Sequence, residues 1–204
     1  MTWTAKDRAV LRRLSSPGRI QAFLDGLAYR AEDQAASPLG VLRERRAHCL
    51  DGALFGAAAL RRLGHPPLLM DLRAVRDDDH VLAVYRVRGA YGAVAKSNFV
   101  GLRFREPIHR TLRELALSYF DDYFNLDGER TLREYSPLLS LRRFDRLGWE
   151  MDRAVAPLIA ERLDALRHRR LLTAAQERAL VPVDRRTMAG GLVGTLAEGV
   201  HRGS

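Results

Sequence analysis

Apolar positions recur along this chain with two different periods, and the switches between them divide it into helices, then strands, then helices again. Up to about residue 30 the pattern predicts two short helices. Thr4 caps the first, with Asp7 at the reciprocal position, and Ser16-Pro17 opens the second with proline in its first turn. Ala31 to Gly40 reads as a polar loop. From about Ala47 to Leu63 runs a helix that is apolar on most sides, through Leu50, Ala53, Leu54, Phe55, Ala57, Ala58, Ala59 and Leu60. A helix without a polar face belongs in the middle of a domain, and its small residues let neighbouring backbones come close. Gly64-His65-Pro66-Pro67 stops it.

Three strand-like runs follow, Leu68 to Val75, Val81 to Val87 and Tyr91 to Phe99, each bounded by Gly or Asp. A weaker fourth run, Leu102 to Arg105, ends at Pro107. Thr111-Leu112-Arg113-Glu114 has the form of a capping box, and Leu112, Leu115, Ala116, Tyr119, Phe120 and Tyr123 continue it as a helical stripe. Thr131-Leu132-Arg133-Glu134 reads as a second capping box. From about Arg142 the pattern is helical, with breaks near Leu171-Thr173 and Val181-Pro182, and the tail, Ala189-Gly190-Gly191 and Gly199 to Ser204, reads as loose. The order helices, antiparallel sheet, helices predicts an α+β domain. Residues 1–140 are expected to form its core, about 37–125 of them carrying a family resemblance, and residues 141–204 a helical C-terminal extension.

Composition narrows the picture. The chain has 204 residues, 47% of them apolar, enough to bury a core. The longest apolar run, Gly52 to Leu60, is far shorter than the ~20 residues that span a bilayer. The first residues lack the layout of a secretory signal, so a cytoplasmic location and no membrane partner are expected. The net charge of +9 is carried almost wholly by arginine, Lys6 and Lys96 being the only lysines. The arginines are spread in pairs (Arg12-Arg13, Arg61-Arg62, Arg142-Arg143) beside apolar positions. That pattern reads as solvated helix faces whose stems cover core edges, and only secondarily as a nucleic-acid surface. Cys49 is the only cysteine, which rules out an internal disulfide or a multi-cysteine zinc site. Asp77-Asp78-Asp79 reads as a solvated turn, and neither a metal nor a cofactor is expected.

Cys49 sits at the first turn of the apolar helix. Most unpaired cysteines are small buried hydrophobes, but at a helix N-terminus the free N–H groups favour a thiolate, which is the condition for a nucleophile. A nucleophile needs a base, and the base an orienting group. His80 opens the second strand. A hairpin centred on Gly89 pairs residue 80 with 98, 82 with 96 and 84 with 94, bringing Asn98 beside His80. A two-residue turn at Gly89-Ala90 slips the register by one and brings Ser97 to that face instead. Asn98 is preferred because an amide oxygen is the better acceptor for an imidazole N–H. His48, pointing ~100° away from its neighbour along the helix, reads as a cap or surface residue.

A helix-borne cysteine, then a strand-borne histidine, then a strand-borne amide resembles the transglutaminase-like branch of the papain-like cysteine proteins. The residues that carry the resemblance are Ala47-His48-Cys49-Leu50-Asp51-Gly52-Ala53, Leu60 to Pro67, Asp79-His80-Val81-Leu82-Ala83-Val84 and Tyr91 to Asn98. The segment through Ser118-Tyr119-Phe120 is similar to an uncharacterised bacterial group of that superfamily. The resemblance implies a buried cysteine helix on a small antiparallel sheet and a thiol acyl-transfer reaction. In it Cys49 attacks a carbonyl, His80 moves the proton and Asn98 orients His80. Water as acceptor gives hydrolysis of an amide, peptide or ester, and an amine gives transamidation. Two departures from the family stand out. Asn98 occupies the place of an aspartate, and an amide cannot neutralise an imidazolium. The papain-like glutamine before the cysteine is missing, with Arg43 to Arg46 there instead, which leaves a main-chain donor such as the Cys49 N–H for an oxyanion. The alternative expectation is a catalytically inactive protein of the same fold with a basic surface for an acidic partner or nucleic acid.

Overall fold

The computed structural model describes residues 2–31 and 35–196, and the tail reading for Gly199 to Ser204 lies outside the described residues. The protein is an α+β domain built on one antiparallel sheet. Its first helices form where their caps predict. In α1 (Ala5–Arg13) Thr4 Oγ1 accepts from the Asp7 N–H, and Asp7 returns the bond to the Thr4 N–H. In α2 (Pro17–Asp25) the Ser16 hydroxyl accepts from Arg19. After the short strand β1 (Ala28–Tyr29), part of the expected loop is a helix, α3 (Pro38–Glu44), capped by Ser37 with Pro38 in its first turn. The same proline-after-serine signal that opens α2 opens this one. Strand β2 (Arg46–Ala47) pairs in parallel with β1 and leads into α4 (Cys49–Arg62).

Helix α4 is buried from Leu50 to Leu60, as a helix apolar on nearly every side must be. It lies against strands β3 (Leu68–Ala74), β4 (His80–Val87) and β5 (Ala90–Val94), which form an antiparallel meander. Two glycines set the distance. A Cβ at Gly52 would lie 2.3 Å from Lys96 Cβ, and one at Gly56 2.8 Å from Val94 Cγ2 and 3.1 Å from Ala83 Cβ. Alternation along β4 puts Val81, Ala83 and Tyr85 in the cluster with α4, and Leu82 and Val84 in a second cluster on the other face.

Strand β6 (Arg105–His109) extends the sheet beyond β5 as an edge, so it tolerates Pro107. Helix α5 (Leu112–Leu117) starts at Thr111 and, with Tyr119 and Tyr123 after it, covers the second face. The expected capping box at Thr131 is instead strand β7 (Leu132–Tyr135), paired with β3. Thr131 Oγ1 donates to Asp77 instead of capping a helix, and Leu132 and Tyr135 are buried in the second cluster. Pairing with β3 and side-chain burial override the local signal.

Strand β8 (Leu139–Ser140) pairs with β3, so the sheet order is β6-β5-β4-β3-β7 with β8 beside β3. The C-terminal region is woven into the core. Leu141, Phe144, Trp149 and, on α6 (Val155–Asp164), Val155, Ala156, Ile159 and Leu163 join the α4 cluster. Strand β9 (Arg169–Arg170) pairs with β7 where a continuing helical pattern was expected. Short helices α7 (Ala174–Arg178) and α8 (Arg185–Gly191) follow, and α8 takes in Ala189-Gly190-Gly191, which the sequence reads as loose, because Asp184 caps it and Gly191 packs on Phe124. Among the described residues no helix is long and apolar enough to cross a membrane.

Strand β5 is shorter than the predicted Tyr91 to Phe99 run for a visible reason. Gln21 accepts from the Ala95 N–H (3.0 Å) and donates to the Ala95 carbonyl (2.9 Å), occupying both groups a strand neighbour would use. Next to it the Lys96 ammonium donates to the Leu24 and Leu27 carbonyls at 3.1 and 2.6 Å, a cation at the C-terminal end of α2. The expected outcome of Gly52→Ala is destabilisation by about 1–3 kcal/mol, because the new Cβ meets main chain and Cβ of Lys96 that cannot swing away. Urea denaturation checks this, and a loss below about 0.5 kcal/mol would contradict the close packing.

Candidate active site

His48 caps α4. Its Nδ1 accepts from the Leu50 N–H at 3.1 Å, and the Asp51 carboxylate reaches back to the His48 N–H at 3.4 Å, completing a capping box with histidine as the cap. The sequence reading of His48 as a cap holds. The partner it missed is Asp51, which is fully buried below the helix start. Asp51 also accepts from the Ala36 N–H at 2.6 Å and stands 3.3 Å from Arg30 Nε. Burial raises its carboxyl above the usual range, and the His48 and Arg30 charges work against that rise.

Cys49 is the first residue of α4 and is partly exposed. Its thiol donates to the Asp79 carbonyl at 3.9 Å, and the nearby Val81 and Leu50 N–H groups favour the thiolate. The sulfur therefore lies against the main chain on either side of His80. The expected lowering of the thiol by the helix N-terminus does not win. Burial, aided by the Asp71 and Asp51 charges, pushes it up to about 11, and the two N–H bonds offset only part of this.

His80 begins β4 and is buried. Its ring packs with Tyr119 and Tyr123 at 6.5 Å between centroids, on the sheet face away from α4. Nε2 lies 2.7 Å from the Leu102 carbonyl. A carbonyl only accepts, so Nε2 carries the proton and Nδ1 holds the free lone pair of the neutral ring. Burial lowers His80 to about 4, the Leu102 bond opposes this, and the Arg105 charge adds to it. Among the described residues no hydrogen bond joins the His80 ring to the Cys49 sulfur.

The hairpin register differs from the expectation. Val87 pairs with Ala90 and Val84 with Ala93, so the two-residue turn is Arg88-Gly89, with both residues at positive φ (48° and 89°). The pairing of 84 with 94 is thus displaced by one, the slip the Ser97 alternative called for though the turn is Arg88-Gly89, and because β5 ends at Val94 the pairing stops before either Ser97 or Asn98 can stand opposite His80. The Asn98 side chain hydrogen-bonds instead with Leu196, and Ser97 Oγ accepts from the Phe99 N–H.

The group that orients His80 is thus a main-chain carbonyl, which leaves no mark in a sequence. The loop carrying it is held firmly. Arg105 donates to the Gly101 and Ser118 carbonyls at 2.9 Å each and to Asp122 at 3.2 Å, with its guanidinium 3.9 Å above the Tyr119 ring. Tyr119 Oη donates to the Arg103 carbonyl at 2.8 Å. The groups flanking Leu102 are fixed from two sides. Tyr119 and Tyr123 of the aromatic stripe are buried in the second cluster, and Tyr119 also shapes this loop.

A second histidine was missed entirely. His168, after α6, places Nε2 2.9 Å from Asp71 Oδ2 and Nδ1 2.8 Å from the Leu166 carbonyl. Both nitrogens are engaged, so this ring is no base for Cys49. Its partner Asp71 is buried and one of the charges that raise the thiol. The acidic run behaves as a turn: Asp77 Oδ1 accepts from Asp78, and Asp79 Oδ1 from the Ala74 N–H. No protein-family model matches the chain, and no curated protein matches it significantly.

Two outcomes follow from the burial of this pair. The thiol, raised from 9.0 to about 11, should react with iodoacetamide at pH 8 about a hundredfold more slowly than a free peptide thiol, with the rate still climbing toward pH 11. A profile levelling off near neutrality would contradict it. For His80 the unfolded ring takes a proton below about 6.5 and the folded ring only near 4. Its contribution is present above pH 6.5 and is lost as the pH falls to 4, by about 3 kcal/mol. Urea melts at pH 7 and pH 4 should show this fall in the unaltered chain, and a clearly smaller one in His80→Gln.

Proposed function

We propose that Cys49 and His80 form the resting centre of a thiol acyl-transfer protein of the transglutaminase-like kind, acting on an amide or ester carbonyl. The observation that supports it is the position of the sulfur, seated against the Asp79 carbonyl and the Val81 N–H on either side of a histidine whose Nε2 proton is spent on Leu102. Nδ1 is then the one ring nitrogen able to accept a proton. In the reaction the S–H bond breaks toward Nδ1 as sulfur bonds to the carbonyl carbon. The proton passes from the ring to the departing amine or alcohol, leaving an acyl thioester on Cys49. Water or an amine attacks the thioester and gives its own proton back through the ring, restoring the thiol. The Leu102 carbonyl takes the orienting part expected of Asn98 and, like an amide oxygen, steadies the ring without carrying a full negative charge.

The raised thiol and the lowered imidazole both hold this centre in its neutral form. Moving a proton from a thiol at about 11 to an imidazole at about 4 costs about 10 kcal/mol for the two groups taken apart, before any attraction between the charges formed is counted. The thiolate–imidazolium pair is therefore negligible at rest, and because the ring packs on the sheet face away from α4, the reading requires the opening of β4 to shift so that Nδ1 reaches the sulfur. That same gap favours a second reading: a non-catalytic protein of this fold, holding an acidic partner on its arginine-rich surface.

Acylation separates the two. With p-nitrophenyl acetate as probe, the acyl-transfer reading expects an acetyl group on Cys49, found by peptide mapping, that forms about a hundredfold more slowly in His80→Ala. Acetylation indifferent to His80, rising only with the thiol titration toward pH 11, would remove the acyl-transfer reading. The binding reading then stands or falls on salt-sensitive retention by heparin.

A further inference from the structure

The chain grips part of itself chiefly by its main chain. Asn98 Nδ2 donates to the Leu196 carbonyl at 2.8 Å, and Asn98 Oδ1 accepts from the Leu196 N–H at 2.9 Å. One side-chain amide thus reads both polar groups of a single residue, as a neighbouring strand would. The Thr195 hydroxyl adds a bond to the Asn98 carbonyl at 3.1 Å. The Leu196 side chain is not what is held, being 51% exposed. The same two-pronged grip occurs once in the interior, between Gln21 and Ala95, where it ends a strand. At Asn98 it lies at the surface and holds a C-terminal segment.

The place of this grip matters. Asn98 belongs to the loop that ends in Leu102, whose carbonyl orients His80. Two residues earlier, Lys96 packs against Gly52, one turn along α4 from Cys49. The held segment is fixed a second time at Gly191, where a Cβ would fall 2.4 Å from the Phe124 ring. We propose that Asn98 is a docking site for the main chain of a peptide segment, and that residues 195–196, which leave a turn closed by the Thr195 N–H on the Leu192 carbonyl, occupy it at rest. The site accepts any residue with a free N–H, and so discriminates by backbone conformation more than by side chain. This inference goes beyond the thiol chemistry and does not require it.

The test uses full-length variants and a fluorescein-labelled peptide, Gly-Gly-Leu-Val-Gly-Thr-Leu-Ala-Glu, matching residues 190–198. Gly191→Val crowds the Phe124 ring, and Leu196→Pro removes the N–H. Each should free the segment, seen as faster trypsin cleavage after Arg185 and Arg186. Fluorescence anisotropy should then show the peptide binding at least about tenfold more tightly to either freed variant than to the unaltered chain. Adding Asn98→Asp, which keeps an acceptor but loses the donor, should cost about tenfold again. A peptide with N-methyl-leucine in place of leucine should not bind, and one with alanine there should bind within about threefold. Release without tighter binding, binding indifferent to Asn98→Asp, or a segment that neither substitution loosens would each overturn the proposal. Cys49→Ala leaves peptide binding unchanged, so failed acylation with intact binding removes the thiol reading alone.

Discussion

The close seat of α4 on the sheet is the constraint from which the rest follows. Gly52 and Gly56 let the helix approach β4 and β5 to the point where a single added methyl meets another Cβ. That approach drives the first residue of α4 against the opening of β4, so the sulfur of Cys49 meets the main chain around His80. It also buries the helix start. Burial, not the helix dipole, then sets the protonation of the thiol, because losing water costs an anion more than two N–H bonds return.

Around that seat the polar groups are arranged to fix backbone. Asp51 ties the helix start to Ala36 and Arg30, Gln21 and Lys96 end β5, and Arg105 with Tyr119 clamps the turn before β6. Many arginines that read in the sequence as free surface charge are spent this way or in ion pairs, as with Arg61 on Asp145, Arg73 on Asp164 and Arg153 on Glu44. A high net charge therefore overstates how much of the surface is open to a polyanion.

The parts of this molecule that announce themselves in sequence are those set by nearest neighbours. The caps at Thr4 and Ser16, the all-round apolar helix after Cys49 and the strand-like runs through Leu68 and Val81 all appear as read. Readings fail where distant partners decide. Thr131 has every local mark of a cap, yet β3 claims the segment as a strand. The hairpin register turned on whether Arg88 would accept a left-handed conformation, and it does, at φ 48°. Leu102 was invisible as a site residue because its contribution is a carbonyl oxygen, which every residue has. His168 was hidden because its partner Asp71 is 97 positions away.

Lys96 carries one more consequence. Its ammonium is turned inward onto the end of α2, and Lys6 on α1 is the only other lysine in the chain. A surface whose cations are guanidinium groups offers almost no side-chain amines to an electrophile. Were an acyl thioester of the proposed kind to form at Cys49, it would find few lysine acceptors on neighbouring copies of the same chain.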